Sequence, residues 1–229
     1  MSEYSLNMIE VVAKGLGDLK DRAIFVGGAV AGIYVDDPAS DDARPTEDVD
    51  CVFQLATTGD YYALEEELRK KHFQNDTDSN VVCRWKYLGI TVDIMPDDEA
   101  ILGFANRWYK KGFIRKVKYI LPNGDYLYIL PACYYLATKL EAIASRGGDD
   151  LRCSHDFEDL IFVLNGCIDI GTALQQIKDE ELMDYLQTKF KDLIENPNIR
   201  ECINCALPMN EEEDRCEYIL SLLSSIVKE

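Results

Sequence analysis

Up to Leu130 the chain is cut into short β-rich apolar runs by glycine, proline and asparagine turns, and from Pro131 onward only helical spacing recurs. A face repeating every second residue and one repeating every three to four belong to different elements, so this change of period predicts two architectures in one chain. The expected fold class is α+β. Residues 1–130 should form a small mixed sheet with flanking helices, and residues 131–229 a helical subdomain. In the first part, Leu6, Ile9, Val12, Leu16 and Leu19 trace an amphipathic helix over 4–20 that covers a sheet face. A strand at 23–26 meets Gly27-Gly28 and is followed by an apolar segment to Val35, which reads as strand, glycine turn, helix. Beyond a polar loop, a strand over 49–53, a helix over 61–72 and two runs at 81–88 and 90–95 follow. Leu88-Gly89 makes a hairpin of those two runs, and Pro96 ends the second. A short helix around Ala100 precedes extended runs at 113–121 and 126–130, joined by P-N-G-D. Pro131 suits a first helical turn, and further helices are expected around 156–164, 171–190 and 211–227.

With 24 Lys plus Arg against 42 Asp plus Glu, the formal charge is −18, which disfavours indiscriminate attraction to polyanions. No apolar stretch approaches the roughly 20 residues that span a bilayer, and the start lacks a signal-peptide pattern, so the expected location is cytoplasmic with no membrane partner. Eight cysteines are few for a chain able to bury a real core, and reduced thiols are expected. Cys202-Ile-Asn-Cys205 could supply half of a zinc site, but only Cys216 lies nearby, and two helix-facing thiols are the simpler reading.

Glu47-Asp48-Val49-Asp50 opens an apolar strand. Strand side chains alternate, so Asp48 and Asp50 point to one side while Val49 and Cys51 point to the other. Two carboxylates on one face repel unless a cation lies between them, and hard divalent ions accept such oxygens. Carboxylates also crowd solvated strand ends, so the pair alone is weak. Thr91-Val92-Asp93-Ile94-Met95 adds an acid amid β-branched residues, where an unpaired carboxylate is costly. Asp93 either lies on a partly exposed edge strand, or meets an arginine, or sits beside Asp48 and Asp50 and completes a three-carboxylate site able to hold two metal ions. Gly27-Gly28 offers backbone N–H groups to phosphate if a helix opens there.

This set resembles the nucleotidyltransferases of the DNA polymerase β superfamily, through V-G-G-A-V-A-G, R-P-T-E-D-V-D-C-V-F and T-V-D-I-M. The R-P-T-E-D-V-D form is similar to the abortive-infection toxin-type (AbiEii-like) branch. That branch also carries a helical Lys/Arg motif and a short acidic helix, matched here by A-T-K-L-E-A-I-A-S-R and S-H-D-F-E-D-L-I-F-V-L with Asp156 and Asp159. The chain departs from the pattern in a long interval between Gly28 and Asp48 and in an insert, Gly147-Gly148-Asp149-Asp150. The resemblance implies a nucleotidyltransferase core in 1–130 and a helical subdomain in 131–229 that completes the nucleotide site. It implies that Asp48, Asp50 and Asp93 are catalytic and hold Mg2+ or Mn2+, with Asp93 nearest the acceptor. Gly27, Gly28, Arg44, Thr46, Lys139 and Arg146 would bind the NTP, and a cognate antitoxin would be a partner. The implied reaction is NMP transfer from an NTP to an acceptor hydroxyl with release of pyrophosphate.

Arg107, Lys110, Lys111, Arg115, Lys116 and Lys118 lie in a stretch without acids and with interleaved aromatics, which could bind RNA as acceptor or serve as a cationic face for the acidic loop. Protein and small-molecule acceptors stay open. The rival readings are a non-catalytic nucleotide- or partner-binding protein on the same fold, and a metal-dependent hydrolase using the same acids.

Overall fold

The computed structural model describes residues 2–146, 150–208 and 212–227; Gly147, Gly148 and Asp149 of the insert, and Glu211 of the last expected helix, lie outside the described residues. The chain divides into two compact units, Met1–Val30 with Arg44–Pro131 and Ala31–Ala43 with Ala132–Glu229.

The first unit is built on a seven-stranded mixed sheet. Helix α1 (Glu3–Leu16) starts on a Ser2 side chain that accepts from the Ser5 amide, and stops at Gly17, whose φ of 57° suits a residue without Cβ. Its fully buried Ile9, Val12 and Leu16 face the sheet, each worth about 1.5–3 kcal/mol of burial. A 3₁₀ turn then leads into β1 (Ala23–Val26), which is buried along its whole length. Strand β2 (Asp48–Phe53) is followed by α2 (Thr58–Lys70), which opens on a Thr57–Asp60 capping box. Strands β3 (Gln74–Asn75), β4 (Arg84–Tyr87) and β5 (Ile90–Pro96) come next. Two short helices, α3 (Glu99–Leu102) and α4 (Tyr109–Phe113), precede the hairpin of β6 (Val117–Ile120) and β7 (Tyr126–Ile129). The order across the sheet is β3-β4-β5-β2-β1-β7-β6. Strands β2 and β5 run parallel, as do β1 and β7, and α1 packs on β2 and β5 as its apolar stripe predicts. The β4–β5 turn is a two-residue hairpin with positive φ at both Leu88 (48°) and Gly89 (83°).

In the second unit α5 (Ala132–Arg146) follows Pro131 and packs on α6 (His155–Gly166), α7 (Ile170–Gln175) and α8 (Glu180–Ile194). Helices α9 (Ile199–Ala206) and α10 (Glu212–Ile226) complete it. The single helix expected over 171–190 is two. Asp179 accepts from the Leu182 amide and so starts α8 afresh. Helix α9 was not anticipated, although Ile199, Cys202 and Ile203 bury at helical spacing.

Two further expectations are corrected. The helix expected after Gly27-Gly28 is a turn over 27–30 and one 3₁₀ turn, Ala31–Ile33. The Asp36 and Asp37 amides, at the start of the expected loop, donate to the Gly166 carbonyl at 3.2 and 3.1 Å. The run at 113–121 is a strand only from Val117, because fully buried Trp108 anchors a helical turn through Phe113.

Candidate functional site

Strand alternation buries Val49 and Cys51 completely on one face of β2 and leaves Asp48 and Asp50 half-exposed on the other. The parallel register of β2 and β5 then sets Asp50 beside Asp93 and Asp48 beside Thr91. All three carboxylates therefore share one sheet face, on strands about 4.8 Å apart. Thr46, itself buried, donates its hydroxyl to Asp48 Oδ1 at 3.0 Å. Gly27 sits at φ 73° against Asp50, and a Cβ there would overlap Asp50 Oδ2 and stand 2.7 Å from its Cγ. This close approach is what glycine at the turn permits.

The residue that sequence reasoning missed is Arg84. It stands directly across from Asp93 in the antiparallel β4–β5 register. Its Nε donates to Asp93 Oδ1 at 2.9 Å and its Nη2 to Asp93 Oδ2 at 2.8 Å, the two-pronged fit of guanidinium to carboxylate. Nη2 also reaches Asp48 Oδ2 at 3.5 Å. Asp93, only 8% exposed, thus has the arginine partner that one of the sequence alternatives allowed. The hydrogen bonds to Asp93 hold the guanidinium pKa above its ordinary value. On the opposite face of β2, burial and then the charge of Asp50 push the Cys51 thiol up; just before β4, burial followed by Asp93 raises Cys83 to about 12.

Three carboxylates suit a hard cation in kind, and Asp48, Asp50 and Asp93 are the residues that would hold one. As the side chains stand, among the described residues no group of three His, Cys, Asp or Glu side chains is arranged to hold a metal ion, and the guanidinium of Arg84 bridges two of the three acids.

The remaining expected residues are distributed as follows. Arg44 Nη1 donates to the Pro45 carbonyl at 3.4 Å, and Gly28 is buried in the turn after β1. The helix N-terminus expected to present Gly27 and Gly28 amides to phosphate is absent, since only the 3₁₀ turn follows. In the second unit Lys139, 4% exposed, directs Nζ to Asp156 Oδ1 at 3.1 Å and Asp159 Oδ2 at 2.6 Å. Arg146, largely exposed, pairs with Asp156 Oδ2 at 2.6 Å. The two acids of the α6 motif therefore serve as partners of the two cations of the α5 motif.

The basic stretch is not one continuous strand face. Arg107 lies over Trp108, Lys110 pairs with Asp98 at 2.8 Å, and Arg115 donates to the Lys111 carbonyl. Lys116 donates to the Asp21 carbonyl at 2.6 Å and stacks on Phe113 and Tyr128, while Lys118 stacks on Tyr126 at 3.8 Å. The acid met by Lys110 is Asp98, which caps α3. The eight cysteines are free thiols. Cys202 is buried and Cys205 exposed on α9, and buried Cys216 on α10 lies by the Arg200 carbonyl. His72 and His155 are both exposed. Among the described residues no helix is long and apolar enough to cross a membrane. No family model matches the chain, and no curated protein matches it significantly.

Proposed function

We propose that this chain is a metal-dependent nucleotidyltransferase of the DNA polymerase β type, moving an NMP from an NTP to an acceptor hydroxyl and releasing pyrophosphate. The observation that carries this reading is the register that sets Asp50 beside Asp93 with Asp48 two residues back, three carboxylates on one face of a mixed sheet. Asp48, Asp50 and Asp93 would hold Mg2+ or Mn2+, which when bound neutralises phosphate oxygens and acidifies the acceptor hydroxyl. The chain's own part is orientation. Thr46 fixes one oxygen of Asp48, and the absence of a Cβ at Gly27 leaves room for the Asp50 carboxylate against the turn after β1. Asp93, the most buried of the three, would accept from the acceptor hydroxyl only once Arg84 moves off one of its oxygens. An RNA acceptor would have to draw on Arg107, Lys110, Arg115 and Lys118, the exposed members of the basic stretch.

If this reading is right, one NTP with Mg2+ or Mn2+ raises the melting temperature by several degrees, since a hundredfold excess over Kd stabilises the native state by about 2.7 kcal/mol. No shift with any NTP and either ion would contradict it. A second reading, a non-catalytic protein that binds nucleotide or a partner, draws support from the Arg84 bridge to Asp93 and Asp48. It predicts the same shift without release of pyrophosphate.

A further inference from the structure

The geometry points to Arg84 as a built-in counter-ion that competes with a divalent cation for the carboxylate face; this rests on the metal-dependent reading above. Three like charges on one sheet face need positive charge nearby, and β4 supplies it from the position opposite Asp93. The fork occupies both oxygens of Asp93 and one oxygen of Asp48. A divalent ion needs those same lone pairs, and magnesium accepts only near-octahedral oxygen geometry. Arginine does not lose its proton at physiological pH, so the guanidinium cannot yield by titration and has to move aside. Its side chain is 27% exposed, which gives it an outward path, whereas that of Asp93 is 11% exposed and stays with its strand. Arg84 therefore raises the cation concentration the site requires, and keeps the buried Asp93 paired when no ion is present.

The test is direct Mn2+ binding to the full chain, read by electron paramagnetic resonance of free Mn2+, for wild type, Arg84→Gln and Arg84→Lys, with Asp48→Asn to show that the ion enters this face. Removing a unit charge a few ångströms from the ion should tighten binding by about tenfold or more in Arg84→Gln. Arg84→Lys keeps the charge without the fork and should fall between the two. Arg84→Gln should also melt lower than wild type without metal and recover more on adding Mn2+; if it fails to fold, the Arg84→Lys titration decides alone. Binding equal to or weaker than wild type in both Arg84 variants overturns the competition while leaving the metal-dependent reading intact. Absence of Mn2+ binding in every variant overturns both.

Discussion

Replacing Lys139 with methionine is expected to destabilise the second unit by about 3–5 kcal/mol, the cost of removing one partner from a buried ion pair. Lys139 is 4% exposed, and the two acids it holds, Asp156 and Asp159, are 6% and 1% exposed, so water cannot take its place. The effect falls unequally on the acids. Asp156 keeps Arg146 at 2.6 Å, while Asp159 loses the shortest of these contacts to Lys139, also 2.6 Å. Removing the Asp159 charge as well should therefore recover much of the loss. Urea unfolding of Lys139→Met, Asp159→Asn and the double variant, analysed as a double-mutant cycle, should give a coupling energy of about 1–3 kcal/mol. A loss below about 1 kcal/mol in Lys139→Met would mean that the cluster is open to solvent and contributes as little as a surface pair. The same cluster bears on function: Lys139 can contribute charge to a triphosphate only by exchanging partners, because α6 already engages its ammonium.

If the chain is the nucleotidyltransferase proposed above, Asp50→Asn should reduce transfer by a factor on the order of 10² to 10³ or more, the scale seen when one preorganised charge-stabilising group is removed. The fold should survive. Asp50 is half-exposed, its strand neighbours Val49 and Cys51 carry the packing, and it stands beside another carboxylate, Asp93. The amide retains the shape and removes one of two adjacent like charges, so the melting temperature should stay level or rise. Loss of activity together with a large fall in melting temperature would instead make Asp50 a structural residue. Undiminished activity would remove β2 from the reaction.

Much of the first unit is readable from local chemistry. Leu88-Gly89 specifies a two-residue turn, and P-N-G-D joins the last two strands as expected. Arg84 was legible too. Once Leu88-Gly89 is a two-residue turn, Tyr87 pairs with Ile90, and counting three residues outward along each strand lands on Arg84 and Asp93. The parallel alignment of Asp50 with Asp93 is different in kind, since no turn links β2 to β5: α2, β3 and β4 lie between them in the chain, and the register is a tertiary pairing. The segment after Gly28 illustrates the same limit. Its apolar residues to Val35 suit a helix, but the Asp36 and Asp37 amides that follow are held by the Gly166 carbonyl, a partner more than a hundred residues away. In the basic stretch, composition was visible, but the pairing of each cation with Asp98, the Asp21 carbonyl or an aromatic ring depends on tertiary placement.

If the three-carboxylate face transfers nucleotidyl groups as proposed, incubation of wild type and Asp50→Asn with each α-labelled NTP, Mg2+ or Mn2+, and total RNA or cell extract, following both the label and pyrophosphate, should separate the two proteins. Wild type should place label on an acceptor with one pyrophosphate released per label, and Asp50→Asn, folded to the same extent, should do neither. Label transferred equally by both proteins, or released as free monophosphate without a labelled acceptor, would contradict the proposal.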